Sequence, residues 1–121
     1  MPTILVIDDE PLMRRMVSRA LTGAGHKVIA AEEGQEGLRL FRTHRPAVVI
    51  TDLLMPGQEG IETILAMRRT GAPVRIIAIS GRDAEMLETA RLIGADDAIE
   101  KPFRAHELIE HVRALAETPP A

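Results

Sequence analysis

The clearest structural signal in the chain is the segment Val48-Val49-Ile50-Thr51-Asp52-Leu53-Leu54-Met55-Pro56-Gly57. Its β-branched start predicts a strand buried on both faces, as in a parallel sheet, and Pro56-Gly57 predicts a loop soon afterwards. Asp52 falls where this strand ends, which is the edge at which open α/β sheets bind ligands. The aspartate is therefore either a functional carboxylate or a cap of the following turn or helix. The segment alone leaves both interpretations open.

The composition is that of one globular domain. The chain has 121 residues, of which 45% are hydrophobic and 27% are charged, and a chain of this length can bury its own core. A net charge of −3 and only two aromatic residues, both Phe, argue against binding to nucleic acid. The absence of cysteine excludes disulfides and thiolate metal sites. Without a signal peptide or an apolar run of ~18 residues, the sequence predicts a cytoplasmic protein that does not bind membranes.

Strand and helix patterns alternate along the whole chain. Short apolar runs predict five strands, over residues 3–7, 26–30, 47–51, 74–79 and 97–99. Apolar residues at helical spacing predict a helix after each strand, over about 13–23, 34–43, 59–70, 83–93 and 104–117. This alternation predicts an α/β fold with a doubly wound five-stranded parallel sheet, covered by helices on both faces. We expect one domain over residues 1–117 and a C-terminal tail over 118–121.

Polar side chains follow four of the five predicted strands. The set is Asp8, Asp9 and Glu10 after the first strand, Asp52 after the third, Ser80 after the fourth and Lys101 after the fifth. In a sheet ordered 2-1-3-4-5 these strands are neighbours, so their carboxyl ends place the set in one crevice. Each residue alone has an ordinary explanation, as a helix cap, a turn residue or a surface lysine. Their coincidence at adjacent strand ends favours a functional site.

The chemistry of this set suits magnesium and phosphate. Carboxylates without a nearby His or Cys favour Mg²⁺, a hard cation that takes oxygen ligands. Asp52 can also act as a nucleophile toward phosphorus, which gives an aspartyl phosphate. Lys101 offers a positive charge to phosphate oxygens and Ser80 a hydroxyl donor. The four histidines show no spacing suited to a shared metal, and we expect them to be structural or at the surface: His26, His44, His106 and His111.

Together these motifs resemble the receiver domains of two-component response regulators. The resemblance covers residues 3 to about 117 and is carried by Asp8-Asp9, Asp52 with Met55-Pro56-Gly57, Ser80-Gly81 and Lys101-Pro102-Phe103. It implies a flavodoxin-like fold in which Asp52 accepts a phosphoryl group from a sensor histidine kinase or a phosphotransfer protein. It also implies a signalling phosphoacceptor rather than an enzyme, with self-phosphorylation from small donors and slow loss of phosphate. A downstream protein would bind the face of the fourth helix, fifth strand and fifth helix.

The resemblance also assigns the metal ligands. Asp9 and Asp52 would ligate Mg²⁺ directly, or Mn²⁺ in its place, together with the backbone carbonyl of Leu54. Asp8 would hold the metal through water. The Leu54 side chain occupies a position that varies in the family and tunes dephosphorylation.

Three further assignments concern the phosphoryl group and the switch. Ser80 and Lys101 would contact the phosphoryl group, and the Lys101–Pro102 peptide bond would be cis. Arg82, two residues after Ser80, is a second tuning position. Ala98 departs from the family pattern, because many receivers carry there an aromatic side chain that swings inward on activation. Alanine has no rotamer to change, so we expect that activation does not use this switch.

Two other functions fit the same residues. A Mg²⁺-dependent phosphohydrolase would also use an aspartyl phosphate, but such enzymes often carry a second Asp two residues on, where this chain has Leu54. A degenerate receiver would act as a constitutive binding module, although the intact set of acids, Ser80 and Lys101 argues against this. No GxxxxGK or GxGxxG motif predicts a nucleotide-binding loop. We expect the chain to be a stand-alone regulator or a domain excised from a longer one.

Overall fold

The alternating pattern folds into five strands and five helices. A computed structural model describes residues 3–53, 59–81 and 84–117, so the expectations for Leu54, Pro56-Gly57, Arg82 and the tail from Thr118 lie outside the described residues. The elements are β1 (Thr3–Ile7), α1 (Pro11–Gly23), β2 (Lys27–Ala31), α2 (Gly34–His44), β3 (Val48–Asp52), α3 (Glu59–Arg69), β4 (Arg75–Ser80), α4 (Ala84–Ile93), β5 (Asp97–Glu100) and α5 (Ala105–Glu117). Among them, no helix has both the length and the apolar character needed to cross a membrane.

All strand pairs are parallel, and the sheet has the order β2-β1-β3-β4-β5. The predicted doubly wound α/β fold is thereby confirmed. All five residues of the central strand β3 are buried, as expected of a strand covered on both faces. Asp52 is the last residue of β3 and lies opposite Ile79, while Ser80 ends β4 and lies opposite Glu100. Asp52 and Ser80 are therefore the last residues of their strands, whereas the sequence pattern places each of them just after a strand.

Each face of the sheet has its own core. On one face α2, α3 and α4 pack against alternate strand residues through Phe41, Ile64, Met67 and Ala90. On the other face α1 and α5 pack through Val17, Leu21, Leu108 and Val112. Each fully buried aliphatic side chain contributes ~1.5–3 kcal/mol relative to exposure. The two cores hold the strand ends, and hence the polar residues on them, in fixed positions.

The buried face of α1 is narrower than its sequence predicts. The spacing of Met13, Met16 and Val17 places all three on one apolar face, but Met16 is 43% exposed. A helix turns by about 100° per residue, so Val17 points into the core while Met16 points away from it. Leu12, one turn before Met16, is 73% exposed. The helix thus presents two uncovered apolar side chains close to the acidic end of the sheet.

Helix α2 ends in a left-handed turn. Arg45, the residue after the helix, has φ 46° and ψ 61°, and its N–H donates to the Phe41 carbonyl at 2.9 Å. This conformation closes many helices and is usually adopted by glycine. Pro46 follows and prevents the helix from continuing. Arginine therefore occupies a backbone position that is disfavoured for residues with a Cβ atom.

Candidate functional site

Asp52 lies at the carboxyl end of the central strand with its side chain almost fully buried. The residue is 4% exposed, and Lys101 Nζ donates to Asp52 Oδ2 at 3.0 Å. The next N–H, of Leu53, donates to the Ile79 carbonyl at 2.9 Å, which extends the pairing of β3 with β4 beyond the strand end. The backbone on both sides of the carboxylate is therefore held by the sheet.

Three aspartates meet at this point. Asp8, Asp9 and Asp52 each offer a carboxylate oxygen, and these oxygens all lie within 4.8 Å of one another. Asp8 and Asp52 are buried while Asp9 is exposed, so the cluster opens to solvent on one side. A set of oxygen donors with an open side fits Mg²⁺, which takes few protein ligands and keeps several waters. The residues present thus fit the metal that the sequence predicts.

The loop after β1 holds Asp8 by several hydrogen bonds. The Glu10 N–H donates to Asp8 Oδ1 at 2.9 Å, and Arg14 Nη1 donates to the Asp8 backbone carbonyl at 2.9 Å. Arg14 also pairs with Glu32 at 3.5 Å, which ties α1 to the residue after β2. Arg14 is not among the site residues predicted from the sequence. The sequence does contain a signal for it. A positive charge in the first turn of a helix interacts unfavourably with the helix dipole, so an arginine at this position indicates another role.

Burial raises the pKa of the Asp8 carboxyl above its ordinary value of 3.8, and the charges of Asp52 and Asp9 add to this effect. The Glu10 N–H and the Lys101 ammonium act in the opposite direction without cancelling it. Desolvation and like charges both disfavour an ionised carboxylate. Without a metal, burial and repulsion between the carboxylates therefore disfavour the charged form of Asp8, and a bound cation would reduce this cost.

The Lys101 ammonium is shifted by the same cluster. Burial alone lowers the pKa of Lys101, but the hydrogen bond and charge of Asp52, with the charges of Asp8 and Glu10, outweigh burial and raise the pKa above 10.5. Lys101 therefore stays protonated throughout the physiological range. The contribution of the Lys101 ammonium to the stability of the folded protein is fully present below pH 10.5, and it is lost as the pH rises through the folded-state pKa of Lys101.

Ser80 and Lys101 are brought together at the ends of β4 and β5. The Lys101 N–H donates to the Ser80 carbonyl at 2.7 Å, and the Lys101–Pro102 peptide bond is cis. Ser80 Oγ is buried and has no hydrogen-bond partner among the described residues. A buried hydroxyl without a partner typically costs ~1–3 kcal/mol. This oxygen is thus free to bond a ligand at the end of β4.

Gly60, in the first turn of α3, lies directly against the end of β3. A Cβ atom at this position would sit 2.3 Å from the Asp52 carbonyl oxygen and 2.5 Å from the Leu53 Cα. Only a residue without a side chain allows this approach of helix and strand. This role of Gly60 is not among the predictions from the sequence, although an isolated glycine inside a helical pattern is itself a signal of close packing.

Ala98 lies in the middle of β5, partly buried and paired with Ala78. Its N–H donates to Asp97 Oδ1 at 2.8 Å. Asp97 also contacts His111 Nδ1, so this histidine joins β5 to α5 rather than lying free at the surface.

Replacing Asp8 by Asn is expected to stabilise the metal-free protein at pH 7 by about 1 kcal/mol and to weaken its response to Mg²⁺. The pKa of Asp8 is raised in the folded state, so its contribution to stability is present below pH 3.8 and is lost as the pH rises through the folded-state pKa. Asn keeps the acceptor for the Glu10 N–H without the charge. Urea unfolding at several pH values, with and without Mg²⁺, measures both effects.

Asp9→Asn is the matched control for this prediction. Asp9 is exposed, so removal of its charge should stabilise the metal-free protein less while still weakening Mg²⁺ binding. A lower stability of Asp8→Asn than of the wild type at pH 7, without metal, would contradict the electrostatic argument.

Comparison with known proteins gives the class of this fold and site. The family described as "Response regulator receiver domain" matches residues 4–113, and the chain belongs to this family. Its members are phosphoacceptor domains in two-component signalling and are generally not enzymes, which agrees with what the resemblance implies.

Named relatives agree with this assignment. The response regulator MprA of Mycolicibacterium vanbaalenii is 38% identical over 113 residues, which cover 93% of this chain and 49% of that protein. The chain thus spans about half the length of the curated relatives it matches. Among solved structures, FixJ-N is 30% identical with a TM-score of 0.91, covering 100% of this chain and 98% of that one. The receiver domain of the Francisella response regulator 1452 is 28% identical with a TM-score of 0.89, covering 97% and 98%.

Proposed function

We propose that this receiver domain, comprising residues 1–117, accepts a phosphoryl group on Asp52 from a phosphohistidine of a sensor histidine kinase or a phosphotransfer protein. The observation that carries the proposal is the surroundings of the Asp52 carboxylate. It is buried, lies within 4.8 Å of the Asp8 and Asp9 oxygens, and accepts a hydrogen bond from Lys101 at 3.0 Å. A nucleophile, a cation site and a fixed positive charge thus converge on one point.

In the proposed reaction an Asp52 oxygen attacks the phosphorus atom of the donor. The phosphorus–nitrogen bond to the imidazole breaks, and the imidazole leaves with the electron pair of that bond. Asp9 and Asp52 would hold Mg²⁺ directly and Asp8 would hold it through water. The ion would supply charge neutralisation, which phosphoryl transfer needs more than covalent machinery. Mn²⁺ is the alternative with the same ligand preference. The Leu54 carbonyl is a further proposed ligand, outside the described residues.

Lys101 and Ser80 are proposed to hold the transferred group. Formation of the acyl phosphate removes the carboxylate charge that Lys101 pairs with, so its ammonium would move to an oxygen of the phosphoryl group. The unpartnered Ser80 hydroxyl gains an acceptor in the same event. Because Ser80 is the last residue of β4 and Lys101 directly follows β5, a change at Asp52 would be passed to both strands.

The proposal is tested by incubating the protein with Mg²⁺ and a small phosphodonor such as phosphoramidate, followed by intact mass measurement. We expect one phosphoryl group per chain, and none when Mg²⁺ is chelated. Continuous release of many equivalents of phosphate per chain would instead identify a phosphohydrolase. No gain of mass under any condition would identify a constitutive binding module.

Leu54 is proposed to prolong the lifetime of the aspartyl phosphate. Hydrolysis needs a water in line with the phosphorus–oxygen bond, and leucine cannot orient it, whereas asparagine can. We expect Leu54→Asn to lose phosphate ~10-fold faster or more, because one positioning contact has an effect of this size on an in-line reaction. Phosphate loss is followed for both proteins without a kinase.

Arg82→Ala is the companion variant for this measurement, since an arginine two residues after Ser80 can engage a phosphoryl oxygen. We expect it to shorten the lifetime less than Leu54→Asn. Equal rates in the wild type and Leu54→Asn would show that position 54 does not govern the lifetime.

Signalling is proposed to proceed without rotation of a side chain at position 98, because Ala98 has no rotamer to change. Instead, phosphorylation would act through movement of the loop after Ser80 and of α4. Beryllofluoride, which stands in for the phosphoryl group, is expected to shift the amide resonances of Gly81 and α4. If these resonances stay in place while a partner binds more tightly, another route carries the signal.

The proposed output face is formed by α4, β5 and α5. Asp97 on β5 contacts His111 on α5 and lies 4.0 Å from Arg91 on α4, so polar contacts connect the three elements. Leu92 on α4 is 81% exposed and offers an apolar contact to a downstream protein. A shift of α4 changes both features at once.

A further inference from the structure

A cavity of about 460 Å³ lies at the end of the sheet opposite to the aspartate cluster. One wall is the end of α2 and the turn after it, with Phe41, Arg42, Arg45 and Pro46. The other wall is the loop over residues 70–73, between α3 and β4. Small-molecule sites in proteins typically have volumes of ~300–1,000 Å³. The cavity is therefore large enough for a metabolite-sized ligand, and it lies about 16 Å from Asp52 along β3.

The cavity has an apolar floor and a positively charged rim. Phe41 and Pro46 are buried and form the floor, while Arg42 and Arg45 are exposed at the rim. Within the described part of the chain neither guanidinium has an ion-pair partner, and no acidic residue lines the cavity. The Thr70 hydroxyl already donates to the Met67 carbonyl at 2.6 Å. Two solvent-exposed cations without an ion-pair partner in the described part of the chain thus lie beside an apolar surface.

Nearby arginines show the contrast. Arg68 donates to Asp96 at 2.8 Å and to the carbonyls of Gly94 and Val74, and Arg75 pairs with Asp96 at 3.1 Å. These two side chains have a structural role in joining α3, β4 and the loop before β5. Arg42 and Arg45 have no such role in the described structure.

The backbone of Arg45 gives a second, independent observation. Arg42 lies in the last turn of α2, where a positive charge favours the helix itself. Arg45 lies beyond the helix in the left-handed conformation, which glycine adopts without a steric cost. A residue kept in an unfavourable backbone conformation is a reason to examine its side chain for function, and here that side chain belongs to the cavity rim.

We propose that this cavity binds a small organic anion, in which a carboxylate or phosphate group is held by Arg42 and Arg45 and an apolar body lies against Phe41 and Pro46. Guanidinium groups bind both anions through paired hydrogen bonds. The site is separate from the phosphoacceptor site and does not depend on its chemistry.

The test is a titration of the ¹⁵N-labelled, metal-free protein with phenyl phosphate and, separately, with benzoate. We expect saturable shifts of the amide resonances of residues 41–45 and 70–72 with at least one of them, and the tighter ligand identifies the preferred anion. Inorganic phosphate and benzyl alcohol each carry only one half of the proposed ligand and should bind more weakly. Absence of saturation with both probes, or shifts confined to Asp8, Asp52 and Lys101, would overturn the proposal.

Variants separate binding from folding. Arg45→Asn places a residue that tolerates the left-handed conformation at this position, so its thermal midpoint should equal or exceed that of the wild type. Loss of one charge-assisted contact should weaken binding about 10-fold or more, both in this variant and in Arg42→Gln. Arg39→Gln removes the same charge from α2 outside the cavity and should bind like the wild type. Wild-type affinity in Arg45→Asn and Arg42→Gln would refute the assignment of these side chains.

Discussion

Asp52→Asn is expected to gain no stable phosphoryl group under conditions in which the wild-type protein gains one per chain. The substitution keeps the size of the side chain but removes the anionic oxygen that would attack phosphorus in the proposed reaction. Carboxylate oxygens of Asp8 and Asp9 lie within 4.8 Å of an Asp52 carboxylate oxygen, yet in the proposed function these two residues hold the metal. Intact mass measurement after incubation with Mg²⁺ and phosphoramidate reads the result directly.

Asp97→Asn is the matched control. It removes the same charge from a carboxylate at the start of β5, which is the end of that strand away from the site. We expect this variant to be phosphorylated like the wild type. Phosphorylation of Asp52→Asn to the wild-type stoichiometry, with the same stability of the product, would show that another residue is the acceptor.

Gly60→Ala is expected to cost about 3 kcal/mol of stability and to slow phosphorylation together with it. The added methyl group would lie 2.3 Å from the Asp52 carbonyl oxygen and 2.5 Å from the Leu53 Cα. Overpacking typically costs ~1–3 kcal/mol, and here the obstacle is backbone, which cannot move aside as a side chain does. To remove this clash, α3 must move away from the sheet or the end of β3 must shift, and we expect either movement to displace Asp52. Urea unfolding and the rate of phosphorylation are the two measurements.

Gly23→Ala shows what the same change does where there is space. Gly23 is the last residue of α1, and a Cβ atom there meets nothing within 4 Å. Because alanine restricts the unfolded chain and favours helix, we expect a gain of about 0.5–1 kcal/mol. If Gly60→Ala were as stable as the wild type, the close approach of α3 to β3 would not constrain the site.

The fold could be predicted from the sequence because its signals are local. Five apolar runs, each followed by a helical pattern, specify a parallel sheet almost without regard to distant contacts. The candidate site followed from the same logic, since Asp8, Asp52, Ser80 and Lys101 needed only to be placed at the ends of neighbouring strands. Once the strand order is known, their convergence is a matter of topology.

Other features were not predicted, because their detail depends on three-dimensional contacts between distant segments. The hydrogen bond from Arg14 to the Asp8 carbonyl and the contact of Gly60 with the end of β3 require the packing of a helix against a loop. The exposure of Met16 depends on how wide a face α1 buries, which periodicity over a few residues overestimates. The cavity between α2 and the loop before β4 has no sequence pattern at all.

The parallel sheet also makes the molecule an electric dipole. Helices that connect parallel strands must all run back in the opposite direction, so their first turns lie at the aspartate end and their last turns at the other. In α2, α4 and α5 the first turn carries an acidic residue (Glu36, Glu85 and Glu107), and in α2, α3 and α4 the last turn carries a basic one (Arg42, Arg69 and Arg91). Although the net charge is only −3, acidic side chains gather at the end of the sheet around Asp52, the negative pole, and basic side chains gather at the opposite end, the positive pole. Cations and basic protein surfaces approach the negative pole preferentially, within the ~8 Å range that physiological salt allows.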